Sequence, residues 1–467
     1  MPGKLAAVKT QSDRRTVALL FLIALAVCAV VTKPRVVSWN DGSRIATVDA
    51  LTAGGTFRID GSPFAAGLGD KIRYRGATYS DKPPLLAVLG AAVALTVAPA
   101  GISLRRTPGT AIYLVTLFTV GVWFAVGCCY AFAFAQYLGL SRNVAVAVAA
   151  LTCAGTLALP YATVFTNHVP CGVCALAGCF SALRARDGAR WGAPLAGLFF
   201  ALAYAFDAAG ILLALAGAIV LWGAPLRTWI LVVAAGLPVV ALEFAYNVHV
   251  SGSVMPTAFT AAVWHDPSLP FYAPSQQAFP VFSPAEYVRF AVALLVGTKG
   301  LFAFTPLMLV AGYGLFVMVR TPGLMRRLAI AIAATTIVFF AAIVVLQNDT
   351  GARNFGERRY VDLFFLLCAA IGPVLASVRG PLARSAVLLT SALSVAIAAL
   401  GTVAPFAGDA GESGFAFGFA EFAALYRRAP VQAALDVVML IVLLVFVLRI
   451  VGRALGTARA TAAPRRA

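Results

Sequence analysis

The first stretch of the chain able to do chemistry is Asn40-Asp41-Gly42-Ser43-Arg44, close behind an apolar run that ends near Val31. An acid and a base this close to a membrane-length segment mark a functional surface, because charge at a membrane edge is costly. Asp41 could take a proton from a hydroxyl, or it could cap the short amphipathic helix that Ile45 to Leu51 predicts on the membrane surface. Both roles stay open on spacing alone. Next, Gly69 to Gly76 holds Asp70, Lys71, Arg73 and Arg75 and predicts a cation-rich turn or hairpin. Tyr79-Ser80-Asp81-Lys82-Pro83-Pro84-Leu85 then feeds a helix, with prolines where missing backbone donors do no harm. Lys82 could snorkel from that helix start, or act with the preceding basic block as a clamp for a lipid phosphate or pyrophosphate.

Later polar breaks are sparser. Thr166-Asn167-His168-Val169-Pro170 interrupts one apolar run and Asp207 another, while Glu243, Tyr246, Asn247 and His249 approach the end of a third. Each has a plain reading as membrane-edge polarity, and a lone histidine is more often structural than catalytic. The densest late cluster runs from Gln347 to Tyr360 and carries Arg353, Glu357, Arg358 and Arg359. Arginine suits phosphate because its planar fork donates two hydrogen bonds at once.

These residues need a scaffold, and composition names its class. The chain has 467 residues, of which 61% are hydrophobic and only 12% charged, with a mean hydropathy of +0.90. That is too apolar for a soluble globular protein. Its long apolar runs must be helices, since backbone groups in lipid are satisfied within the segment, and they lack the alternation of an outer-membrane barrel. The expected class is an all-α polytopic membrane protein, a single integral domain over 1–467 with no soluble domain to cut out. The net charge of +18 does not indicate nucleic acid, because the bases sit between hydrophobic segments. The cysteines lie mostly inside apolar runs, and Cys171, Cys174 and Cys179 lack a second ligand pair at zinc-like spacing. Gly297 to Gly300 reads GTKG but lacks the phosphate-loop spacing, so ATP-driven chemistry has no support.

Charge sorts the loops. Lys4, Lys9, Arg14 and Arg15 precede the first span, and Arg449, Arg453, Arg459, Arg465 and Arg466 end the chain, which places both termini in the cytoplasm. Arg184 to Arg190, Arg227, Arg320 to Arg327 and Arg379 to Arg384 mark further cytoplasmic turns. The acids then collect outside: Asp41, Asp49, Asp60, Asp70 and Asp81 in the loop 33–82, followed by Asp266, Glu286, Asp349, Glu357, Asp409, Glu412 and Glu421. The candidate site belongs on that face, where the arginines near 357 break the charge rule and call for an anionic partner. About 11 to 13 spans are expected at roughly 20 residues each. Ala285 to Val296 is too short to cross and reads as a re-entrant or interfacial helix ending at Thr298-Lys299-Gly300; one apolar run between Pro83 and Leu183 must also fail to cross.

The motifs together resemble the bacterial branch of the protein mannosyltransferase and aminoarabinose transferase superfamily, membrane glycosyltransferases of the GT-C fold. The resemblance rests on Asn40 to Arg44, Gly55 to Asp60, Asp70-Lys71 and above all Tyr79 to Leu85, with later support from Gly300 to Pro306 and Phe355 to Tyr360. It implies a GT-C-like bundle in a bacterial cytoplasmic membrane. It further implies transfer of a sugar from a polyprenyl-phosphate carrier to a lipid, glycan or protein acceptor at the outer face. Asp41 matches the position that activates the acceptor. Lys71, Lys82, Lys299, Arg353, Arg358 and Arg359 are the candidate cations for the donor phosphate, and Arg44, Asp70, Tyr79, Asp81, His168 and Glu357 complete the expected substrate-binding set. Where some relatives carry a second acid, this chain has Asn167 and His168; no cofactor is assigned, and a divalent metal is compatible. The alternative reading is a polytopic transporter or lipid flippase.

Overall fold

The computed structural model describes residues 11–264, 283–346, 353–406 and 414–460. Gln347 to Ala352 of the late cluster, and Asp266, Asp409 and Glu412, lie outside the described residues. The chain adopts the expected all-α polytopic class: among the described residues, 9 helices are long and apolar enough to cross a membrane, joined by shorter apolar ones such as Gly192–Phe206 and Gly210–Val220.

Helix α1 (Gln11–Val31) is the first pass, and α2 (Trp39–Gly54) follows it. Ser38 caps α2 in a reciprocal box with Asp41, and Gly55 at φ 61° ends it, a left-handed position that favours glycine. The expected surface helix is in fact covered. Asn40 through Ala50 are all buried beneath α3 (Leu85–Val97) and neighbouring loop elements. Strands β1 (Lys71–Tyr74) and β2 (Ala77–Ser80) form the expected hairpin, with Lys71 opposite Ser80 and Ile72 opposite Tyr79. Arg75 (φ 49°) and Gly76 (φ 76°) make its two-residue turn, the positive-φ pair that matches the twist of a tight hairpin.

Polar contacts bring the two ends of one apolar run back to the same loop. Arg105, in the loop after α3, forks onto Asp49 at 2.9 and 3.0 Å and donates to the Gly61 carbonyl at 3.3 Å. Both ends of α3 therefore lie on the side of the loop 33–82. On the opposite side, Arg142 donates to Ser12 Oγ at 2.6 Å at the start of α1. The apolar helices that remain between Pro83 and Leu183 are Pro108–Tyr137, Arg142–Ala154 continued by Ala158–Tyr161, and His168–Arg186. Helix Pro284–Val296 has 13 residues, about 20 Å at 1.5 Å per residue, and reaches 21 residues only together with the broken turn to Phe304.

The core sits on two central passes. In the apolar 18-residue stretches of His168–Arg186 and Arg358–Ser377, 83% and 89% of the residues are buried, whereas in that of Leu226–Ser251 only 11% are. Their contact is close because Gly172 has no side chain; a Cβ there would meet the Val361 carbonyl at 2.7 Å. The same approach brings His168 and Asp362 together.

Candidate functional site

The first turns of these two helices, the start of α2, the hairpin and the break at Asp207 converge into one buried polar cluster. Arg44 stands one turn after Asn40 on α2. Its Nη1 donates to Asn40 O at 2.9 Å and to Asn40 Oδ1 at 2.5 Å, and its Nη2 donates to Asn167 Oδ1 at 2.6 Å. Its Nε is buried with no partner among the described residues. Burial pushes the guanidinium down to about 10, against the pull of Asp81 and Asp207. Amides, not carboxylates, hold it, so its charge still faces the cluster.

Asn167 in turn donates to Phe206 O at 2.9 Å and to Asp207 Oδ2 at 2.5 Å. Asp207 sits where Gly192–Phe206 ends and Gly210–Val220 begins, and its Oδ1 accepts from Ala209 N at 3.0 Å. His168 Nδ1 lies 3.1 Å from Asp362 Oδ1 and 3.7 Å from Asp207 Oδ2.

The hairpin contributes a second charged group. Ser43 Oγ donates to Asp70 O at 2.5 Å and meets Ser80 Oγ at 2.6 Å, fastening the hairpin to α2. Lys82 Nζ bridges Asp70 Oδ2 at 2.8 Å and Asp81 Oδ2 at 2.7 Å. Burial would raise the Asp70 carboxyl, but Lys82 outweighs it and holds Asp70 below the usual range. For Asp81 burial wins and the carboxyl is pushed up. Burial lowers Lys82, yet its two carboxylates more than reverse this. Asp81 Oδ1 is buried with no hydrogen-bond partner among the described residues.

The late cluster divides. Arg359 Nε and Nη2 fork onto the fully buried Glu357 at 2.7 Å each, and Glu357 N donates to Lys299 O at 3.0 Å. Arg358 is held only loosely: Nη1 donates to Asn354 Oδ1 at 3.1 Å and the guanidinium lies 5.6 Å from the Phe406 ring centroid. Its field reaches Arg44, Asp70, His168 and Asp362, which places it at the cluster.

Among solved structures the chain is similar in fold to ArnT from Cupriavidus metallidurans bound to undecaprenyl phosphate, at 16% identity over 96% of this chain and 78% of that one, with a TM-score of 0.49. It is also similar to arabinosyltransferase EmbB from Mycobacterium smegmatis (12% identity, 99% and 43% covered, TM-score 0.46) and to the Archaeoglobus fulgidus oligosaccharyltransferase in the apo form (12%, 91% and 59%, TM-score 0.44). No protein-family model and no curated protein matches it.

Of the expected residues, Arg44, Asp70, Asp81, Lys82, His168 and Arg358 meet in the cluster, with Glu357 and Arg359 beside it. Asp41 takes the capping role. Its Oδ1 accepts from Ser38 N at 2.7 Å and Ser38 Oγ at 2.6 Å, and its Oδ2 accepts from Val37 N at 2.9 Å. Burial raises this carboxyl and the cap donors pull against it. The cap fills three of the roughly four acceptor sites of this carboxylate and leaves one on Oδ2. Tyr79 packs against His249 and Tyr246 in a separate apolar cluster, and Lys71 stays half-buried on the hairpin. Lys299 is buried at a helix break, and Arg353 lies at the edge of the described residues.

Asp207 and Asp362 belong to the cluster and were not among the expected site residues. Asp207 reads from sequence as membrane-edge polarity. Asp362 had an available signal: an acid inside an apolar segment is a functional position by default.

Proposed function

We propose that this protein is a membrane glycosyltransferase that moves a sugar from a polyprenyl-phosphate carrier to a hydroxyl of a lipid, glycan or protein acceptor. It works at the outer face of a bacterial cytoplasmic membrane, with both termini in the cytoplasm. The observation that carries this reading is that Asp81 Oδ1, a buried acceptor with no hydrogen-bond partner among the described residues, lies in the field of Arg44, which Arg358 in turn faces; no carboxylate pairs directly with either cation among those residues. A transfer to a hydroxyl needs both: a carboxylate to receive a proton and positive charge where the phosphate departs.

In this reading the acceptor oxygen attacks the anomeric carbon and its proton passes to Asp81 Oδ1. The bond from that carbon to the phosphate oxygen breaks, and its electron pair leaves on the phosphate. Arg44 and Arg358 stabilise the growing negative charge. Lys82 fixes the Asp81 carboxylate through its other oxygen. Asp41 acts as a positioning residue, setting the start of the helix that carries Arg44. A transporter would string its charges along a path near the midplane, whereas this cluster gathers at helix ends and loop starts.

Incubating the purified protein with a panel of labelled polyprenyl-phosphate sugars and a membrane-lipid extract tests the reading. Label should move to an acceptor with wild type and not with Asp81→Asn. Carrier movement across vesicles without any transfer would return the transporter reading.

A further inference from the structure

Asp207 and Asp362 approach the same nitrogen of His168, and the transfer scheme uses none of the three. They arrive from separate elements: the helix break at 207, and the first turns of His168–Arg186 and the pass Arg358–Ser377. One ligand atom from each lies within 4.8 Å of the others. An ion bonded at about 2.0–2.2 Å to nitrogen and oxygen needs its ligand atoms within roughly 4.4 Å of one another, so a slight contraction closes the site. His168 and Asp362 are buried and Asp207 is half-buried, so solvent reaches the group at Asp207.

The donor set also suits a cation. Two carboxylates from separate elements converge on one ring nitrogen, an arrangement completed by a proton on the imidazole or by a metal ion, while Arg44 and Arg358 face Asp207 and Asp362 from outside it. We infer that His168, Asp207 and Asp362 bind one divalent first-row metal ion, of the Mn2+ or Zn2+ kind that takes imidazole with carboxylates in preference to Ca2+. Asn167 orients the site by donating to Asp207 Oδ2. With the ion bound, Arg44 and Arg358 leave the cluster with surplus positive charge, which an incoming phosphate would balance. Only this last link rests on the transferase reading; the binding itself does not.

Titration of the purified full chain with Mn2+, followed by the loss of the free-ion electron paramagnetic resonance signal, reads the site without any turnover. Wild type should hold one ion, released by Zn2+. His168→Gln and Asp362→Asn should each weaken binding by at least about tenfold, since even outer partners of metal ligands are worth 10- to 100-fold. Size-exclusion profiles and melting curves of both variants establish that they are folded; if neither folds, Asp207→Asn at the half-exposed position replaces them. No saturable binding by wild type, or equal binding by the folded variants, would overturn the site and identify the bridge as a protonated histidine. Farnesyl phosphate should tighten Mn2+ binding, because coupling between the two ligands is reciprocal. Unchanged binding in its presence would overturn the placement of the ion against the donor phosphate while leaving transfer itself to the labelled-sugar assay.

Discussion

Arg44 Nη2 donates to Asn167 Oδ1 at 2.6 Å across 123 residues of sequence. An amide at the far end of a buried guanidinium fixes its position without cancelling its charge. Arg44→Gln should therefore raise the apparent Michaelis constant for the polyprenyl-phosphate donor by about 10- to 100-fold, the worth of a charged hydrogen bond of about 1.5–3 kcal/mol. Steady-state kinetics over a donor series checks this; an unchanged constant would assign Arg44 to structure alone.

Asp41 and Asp81 should part company on substitution to asparagine. Asp41→Asn keeps turnover of the wild-type order and loses about 1 kcal/mol of stability, typical of a weakened cap. Asp81→Asn folds but loses about a hundredfold or more in turnover, typical of a missing general base. Turnover and melting curves on both variants decide it. The reverse pattern would restore Asp41 as the base.

The same carboxylate sets a pH limb. Burial pushes Asp81 above the usual carboxylate range, and a base works only when deprotonated. Transfer should accordingly rise with pH along a limb displaced upward from about 3.9, the ordinary aspartate value. A profile of turnover against pH, corrected for protein unfolded at each point, checks the displacement.

Asp70 has the opposite sign. Its folded value is depressed, so its stabilisation is complete above about 3.9, where the unfolded chain is also ionised. It falls as pH drops below that value and is gone below the depressed one. Asp70→Asn should thus lower the melting temperature at neutral pH, with the difference from wild type shrinking as the solution is acidified through that window.

The arginine pair should split. Arg358→Ala leaves a folded protein with weakened donor use, since no carboxylate pairs with this residue among those described. Arg359→Ala breaks a fork onto the buried Glu357, a loss of about 3–5 kcal/mol for pairs of this kind, and should show as reduced folded yield. Similar kinetics and similar yields in both would remove the distinction.

A cysteine introduced at Gly101 should react with an impermeant thiol reagent from the same side as one at Gly61, and from the side opposite Gly188. Labelling of Gly101 with Gly188 would make α3 a crossing.

The polytopic class and the hairpin at 71–80 were legible in the sequence, because hydropathy and turn residues are local signals. Contact between distant residues is not local. Nothing near Asp41 in the sequence announces that Val37 and Ser38 fold back to donate to it. Nothing near Arg105 in the sequence says that it returns to Asp49, 56 residues earlier. Asp362 gained its meaning only from His168, 194 residues earlier.

That last separation bears on how the chain is made. The cluster draws on α2, the hairpin, the break at Asp207 and a helix that starts beyond residue 357, so its parts leave the ribosome far apart in time. Arg44, Asn167 and His168 enter the membrane region well before Asp362 exists to face them. The early helices must wait there with polar groups still lacking their final partners, and the pass from Arg358 to Ser377 acts as the closing piece. A chain halted before that pass would hold most of its candidate membrane anchors and an incomplete cluster, so assembly of the cluster is itself a late step of membrane insertion.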